Sequence, residues 1–182
     1  MKKQLLILCT ALSIGQSFAA ISQNDLNNAL KTLTQINTVL KEQWNPLGKV
    51  PLNSNYFLAL KNAIQITTNY AQENSKNILG KYDMEILSTA NTLRYRAEQM
   101  INLCIIPTNN LVNLDMTIRE DQKNIIINNI TQLAKYLGNE YNKINKTHIT
   151  ISKQKAKNVL IQTIHSLLSM LESIKNKLTE MI

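Results

Sequence analysis

The sequence predicts an all-α protein, a single up-and-down bundle of four to five helices after a cleaved signal peptide. Apolar residues recur at spacings of three and four, strand-like alternation is scarce, and proline and glycine interrupt the periodic segments. We therefore divide the 182 residues into a signal peptide, residues 1–19, and one helical bundle domain, residues 20–182.

The amino-terminal segment has the pattern of an export signal. Two lysines precede an apolar run, Leu5 to Ile14, and small residues stand at Ser17 and Ala19, three and one before the expected cut. The run is about half of the roughly 20 residues that a membrane-spanning helix needs. Cys9 lies inside the run, which argues against a lipoprotein. We expect cleavage before Ala20, no transmembrane anchor, and a location in the periplasm or outside the cell.

Composition predicts a basic domain held together by apolar packing. Removing residues 1–19 leaves 18 basic and 12 acidic residues, so the net charge falls from +8 to +6. Cys104 is then the only thiol, so no internal disulfide can form. The remaining 163 residues are enough to bury roughly two thirds of their unfolded surface.

The apolar stripes and stop signals place five helices, at about 24–42, 54–79, 83–107, 117–138 and 152–180. Gly80 is the expected stop of the second helix, and Asp83 is a suitable N-cap for the third. Thr117 and Glu120 have the spacing of a capping box. Residues 147–152 alternate β-branched side chains, but without a partner strand we expect a loop or a helix lead-in.

The fifth helix has the longest stripe and is predicted to be the central member of the bundle. Its apolar residues follow alternating spacings of four and three: Leu160, Ile164, Leu167, Leu171, Ile174, Leu178 and Met181. At 1.5 Å per residue this helix is about 40 Å long.

No motif that carries a reaction is present in the sequence. It contains no Glu-x-x-His pair, haem attachment sequence, phosphate-binding glycine loop, nucleophile elbow or His-Glu-x-x-His helix. We interpret His148 and His165 as surface residues, too few for a zinc site. Cys104 completes an apolar stripe, so we favour a buried side chain over a thiol nucleophile. We predict no catalytic residue, no metal and no cofactor.

A lysine-rich segment is the clearest charge feature. No acidic residue occurs between Glu140 and Glu172, and five lysines lie in this interval: Lys143, Lys146, Lys153, Lys155 and Lys157. We name these five the lysine segment. It is either a docking site for an anionic partner, such as phospholipid headgroups or lipopolysaccharide, or a solvated loop. Nucleic acid is not expected, because interleaved aromatic residues are missing and the chain is exported.

Three further residues are candidates for contact with a partner. Arg94 and Arg96 lie off the main stripe of the third helix and form a possible secondary contact site, or else an ordinary polar surface. Trp44 lies between the first two helices, where it either covers the end of the bundle or anchors a partner.

These observations favour an exported, non-enzymatic binding protein whose partner is an unknown protein or an anionic component of the cell envelope. The alternative is a small periplasmic chaperone or envelope-stress protein, although the chain has no Leu-Thr-x-x-Gln repeat. An enzyme of hydrolase type, with its site spread over several helices, is the third hypothesis. The oligomeric state is not determined by the sequence.

Overall fold

Within its described residues, the chain forms a bundle of five helices, which confirms the all-α prediction. The computed structural model describes residues 20–43, 54–77, 79–113 and 120–180, without the side chains of 54, 104–113 and 120–122. The helices are α1 (Gln23–Glu42), α2 (Ser54–Glu73), α3 (Met84–Asn113), α4 (Glu120–Lys146) and α5 (Gln154–Thr179).

Helix α1 begins one residue before its predicted start because Ser22 caps it. The Ser22 Oγ accepts a hydrogen bond from the backbone N–H of Asp25 at 3.1 Å, and the Asp25 carboxylate accepts one from the N–H of Ser22 at 3.2 Å. This reciprocal pair is a capping box, which satisfies amide groups that have no partner within the helix. The predicted apolar stripe is buried at Leu26, Ala29, Leu33, Ile36 and Leu40.

Helix α2 ends at Glu73, six residues before the predicted end, so the role assigned to Gly80 was wrong. Side chains of Asn74 and Ser75 bond back to carbonyls of the last helical turn, and Asn77 accepts the N–H groups of residues 79 and 81. Such local bonds compete with the helical ladder. Gly80 has φ +74° and lies in the turn that follows, where its left-handed conformation reverses the chain.

Helix α3 begins as predicted and ends later than predicted. The Asp83 carboxylate accepts hydrogen bonds from the N–H groups of Glu85 and Ile86 at 3.1 and 3.3 Å, which confirms the N-cap. The helical backbone then continues past Pro107 to Asn113. A proline inside a helix removes one backbone hydrogen bond, but it does not end the helix here.

Helix α4 also extends beyond its predicted end, because Gly138 lies inside it. The apolar stripe continues after this glycine through Tyr141, which is partly buried, to Ile144, which is fully buried. Burial of these two side chains outweighs the cost of about 1 kcal/mol for glycine in a helix. The capping box predicted at Thr117 lies outside the described residues.

Helix α5 packs against each of the other four helices, which confirms its predicted central position. It follows a loop and a single 3₁₀ turn, Ile151–Lys153, in agreement with the loop or lead-in that the sequence predicted. Its stripe is almost inaccessible to solvent at Leu160, Ile164 and Leu167. The core of the bundle is therefore organised around α5.

Candidate interaction surfaces

Two connections and the start of the described chain lie at the same end of the bundle. Helices α2 and α4 end here, and helices α1, α3 and α5 begin here. We call this the loop end and define it by residues 20–22, 74–77, 79–84 and 146–154. A hydrogen bond from the N–H of Ile21 to Glu73 Oε2, 3.1 Å long, ties the first of these segments to the end of α2.

Ion pairs join the α2–α3 connection to the segments around the α4–α5 connection. Lys153 Nζ lies 3.3 Å from Asp83 Oδ2, and both side chains are largely buried. Lys143 Nζ lies 3.3 Å from Glu85 Oε2 and 3.3 Å from Ser88 Oγ. These contacts bring the start of α3 against the end of α4 and the start of α5.

Large apolar side chains project from the loop end into solvent. Leu79 is 80% exposed, Met84 is 70% exposed and Ile151 is 95% exposed. Met84 follows Asp83 directly and Ile151 precedes Lys153 by two positions, so both residues are close in the chain to this partly buried ion pair. Since a single exposed apolar residue is common, the informative feature is their grouping at one end of the bundle.

The structure gives the five residues of the lysine segment different roles. Lys157 is only 8% exposed, and its Nζ donates to the carbonyl oxygens of Asn145 and Thr147 at 2.7 and 3.0 Å. It therefore satisfies carbonyls at the carboxyl end of α4, which have no helical partner. Lys143 and Lys153 are held in the ion pairs described above.

The other two members of the lysine segment are exposed. Lys155 Nζ donates to Gln23 Oε1 of α1 and lies 5.7 Å from the ring centre of Tyr70 on α2. Lys146 makes no ion pair within the described ranges. The lysine segment is thus largely part of the fold, and it does not form one continuous free surface.

Two lysines outside the lysine segment add positive charge to the loop end. Lys76 and Lys81 are exposed, as is Lys146, and none of the three lies within ion-pair distance of a carboxylate in the part of the chain that the structure describes. Lys76 Nζ lies 4.9 Å from the ring centre of Tyr82. Because Asp83 and Glu85 are already paired with lysines, the exposed surface around the apolar side chains is positive.

Arg94 is a structural residue of the α2–α3 interface. Its guanidinium donates to Thr68 Oγ1 at 2.8 Å, and to Asn69 Oδ1 and Gln72 Oε1 at 2.6 Å each. Partial burial lowers the pKa of Arg94 from its ordinary value, because desolvation disfavours the charged form. The neutral amide and hydroxyl oxygens compensate for this lost hydration.

Arg96 lines an open groove between α3 and α4, on a different side of α3 from Arg94, since residues two apart on a helix point about 200° apart. The groove has a volume of about 350 Å³ and is lined by Arg96, Gln99, Asn102, Leu103, Asn129, Gln132, Leu133 and Tyr136. The Arg96 guanidinium lies 4.1 Å from the Tyr136 ring centre and donates to Gln99 Oε1 at 2.8 Å. The eight described residues that line the groove include no carboxylate, thiol or imidazole.

Replacing Tyr136 by leucine is expected to destabilise the protein by about 0.5–1 kcal/mol, because the cation–π contact with Arg96 is lost. The matched control is Tyr95→Leu, since Tyr95 is also exposed but lies farther from Arg96, at 5.3 Å. Urea denaturation of both variants measures the difference. An equal loss of stability in the two would show that the contact at 4.1 Å contributes nothing specific.

The described histidines do not add to either surface. His148 and His165 are exposed, and the rings of His165 and Tyr141 meet in a T-shaped arrangement with their centres 4.9 Å apart. Trp44 and the side chain of Cys104 lie outside the described residues. Among the residues that are described, no helix has the length and apolar character of a membrane span, and no group of three potential ligands could hold a metal ion.

Sequence reasoning missed the exposed apolar residues of the loop end. The signal was present, because Leu79 and Tyr82 flank a glycine turn and Ile151 stands between polar residues. The sequence predicts Leu79 as the last residue of helix α2, whereas the structure places it in the turn that follows the helix. Comparison with known proteins finds no match among family models, curated sequences or solved structures.

Proposed function

We propose that the protein is an exported, non-enzymatic binding protein whose loop end docks onto an anionic lipid surface of the cell envelope. The observation that carries this proposal is the position of Leu79, Met84 and Ile151, exposed at one end of the bundle beside lysines that have no carboxylate partner in the described chain. Export is proposed on the pattern of residues 1–19.

Apolar and basic side chains contribute to such docking through different forces. Full burial of a leucine, isoleucine or methionine side chain contributes about 1.5–3 kcal/mol, and these three side chains are already free to insert. Each lysine close to an anionic membrane adds about 1 kcal/mol, a contribution that salt screens. A cluster of apolar and basic side chains is typical of reversible attachment to a membrane interface.

The α3–α4 groove supports binding over catalysis. Its polar lining consists of side-chain amides, one guanidinium and one phenol, which donate and accept hydrogen bonds. General acid–base or nucleophilic catalysis needs a group that titrates near the working pH, or an activated nucleophile with a base beside it.

We expect the mature protein, residues 20–182, to sediment with vesicles that contain phosphatidylglycerol and not with vesicles of phosphatidylcholine alone. Replacing Ile151 by serine should weaken binding by about tenfold, because the most exposed apolar side chain is lost. The matched control is Ile125→Ser on α4, which removes an exposed isoleucine outside the loop end. Equal binding of these two variants would contradict the proposal.

The electrostatic contribution to vesicle binding is tested by a different set of substitutions. Charge reversal of Lys76, Lys81 and Lys146 together should abolish the preference for anionic vesicles, whereas reversal of Lys135 on α4 should not. Lys153 and Lys157 are unsuitable for this test, because their contacts hold the fold together. Binding that is unchanged at 0.5 M salt would also contradict the proposal.

The chaperone hypothesis makes a different prediction for the same surface. A chaperone would suppress aggregation of an unfolded client, and the Ile151→Ser variant would lose this activity. Suppression of aggregation without any vesicle binding would replace the proposal by the chaperone alternative.

A further inference from the structure

The first described residues are fixed to the bundle by a capping box, by apolar packing and by a hydrogen bond to Glu73. Ser22 and Asp25 form the capping box of α1, and Ile21 packs against a small apolar cluster of Leu26, Tyr70 and Val159. A hydrophobic residue before the N-cap that packs onto the fourth helical residue is a hydrophobic staple, and Ile21 and Leu26 occupy these two positions. These contacts fix the backbone at Ile21, the residue that directly follows Ala20.

The Glu73 carboxylate stands beside this segment at the end of α2. Its Oε2 accepts a hydrogen bond from the Ile21 N–H at 3.1 Å. Consecutive backbone nitrogens are at most about 3.7 Å apart, so the nitrogen of Ala20 lies within about 7 Å of this oxygen. Glu73 has no lysine or arginine within ion-pair distance among the described residues.

We infer that hydrolysis of the Ala19–Ala20 peptide bond completes a binding site, in which the new α-ammonium group of Ala20 pairs with the Glu73 carboxylate. Water supplies the oxygen, Ala19 leaves as a carboxylate and the nitrogen of Ala20 becomes protonated. Before cleavage this nitrogen is a neutral amide. The inference takes its cleavage site from the export part of the proposed function, while its geometry is independent of membrane docking.

Cleavage would then change the charge of the loop end in addition to removing the signal peptide. Pairing with the ammonium group neutralises Glu73, an acidic residue near the loop end that has no lysine partner in the described ranges. Other charged groups face the same place: Asp25 is held by the Ser22 N–H and hydroxyl, and Lys155 donates to Gln23. The mature loop end therefore carries more positive charge than that of the precursor.

A double-variant comparison of melting temperatures tests the inference at pH 6, where the α-amino group is protonated. Every core residue of the described chain lies between 26 and 178, so proteins that begin at Ala20 retain the core. One protein begins at Ala20, and the other has two added glycines that move the ammonium group away. We expect the extension to lower the melting temperature by about 1–3 °C with Glu73 present, and by less than about 0.5 °C in the Glu73→Gln variant.

Glutamine keeps an oxygen that can accept the Ile21 N–H, so the variant removes the charge and preserves the neutral contact. Glu172→Gln on α5 is the matched control, because it removes an exposed carboxylate elsewhere, and it should leave the effect of the extension unchanged. If the two added glycines lowered the melting temperature equally in the protein with Glu73 and in the Glu73→Gln variant, the inference would be overturned. Sequencing the amino terminus of the exported protein tests the cleavage step separately. A mature protein that begins at a residue other than Ala20 would also overturn the inference.

Discussion

Replacing Leu167 by alanine is expected to lower the free energy of unfolding of residues 20–182 by about 2–5 kcal/mol. Leu167 is fully buried on α5, the helix that contacts all four others, so the cavity left by the truncation is surrounded by several elements. Surrounding side chains that already belong to a dense core relax only partly into such a cavity. Chemical denaturation followed by circular dichroism measures the change.

Leu168→Ala is the matched control for this prediction. It makes the same truncation at the next position of the same helix, where the side chain is only partly buried. We expect a loss of about 1 kcal/mol, because less apolar area is removed from the core. If the two variants lost equal stability, the stripe of α5 would not be the centre of the core.

Replacing Lys157 by methionine is expected to cost about 2–4 kcal/mol, because two hydrogen bonds from a buried ammonium group to carbonyl oxygens are lost. Methionine keeps an unbranched apolar side chain, so the change removes the donors with little change in packing. Hydrogen exchange should become faster in the last turn of α4, where the carbonyl of Asn145 loses its partner. Denaturation and hydrogen exchange measure the two effects.

The control is Lys155→Met, two positions away on the same helix. Lys155 is exposed, so its loss should change stability by less than about 0.5 kcal/mol. A small effect at Lys157 and a large one at Lys155 would contradict the role of Lys157 at the end of α4.

The two kinds of lysine near the loop end separate stability from the proposed docking. Lys153 and Lys157 maintain the fold through partners on neighbouring segments, whereas Lys76, Lys81 and Lys146 remain available to an anionic surface. Variants of the first group should lose stability, and those of the second should lose vesicle binding alone. This separation cannot be read from the number of lysines in the sequence.

Helix positions were predictable where a single physical cause dominates. The apolar stripe of α5 and the cap of α3 at Asp83 were both identified, since spacing and local hydrogen bonding are properties of the sequence itself. Errors occurred where two causes compete. Gly138 disfavours a helix, but burial of Ile144 extends it, and the bonds of Asn74 and Ser75 end α2 before Gly80.

The candidate site was predicted only in part, because a lysine has the same charge in the sequence whether its partner is solvent, a carboxylate or a carbonyl. The sequence identified the positive interval from Lys143 to Lys157, and the structure assigns most of it to internal contacts. Met84 could not be recognised as exposed, because its exposure depends on how the start of α3 packs against helices from distant parts of the chain.

The sequence by itself determined that the chain is helical and which side of each helix is apolar, because these follow from residue spacing and from capping over a few neighbouring positions. The tertiary structure alone decided which charges are neutralised, which apolar side chains stay in solvent, and that Ile21 meets Glu73. Those properties depend on contacts between residues far apart in the chain, and such contacts exist only after the helices have packed.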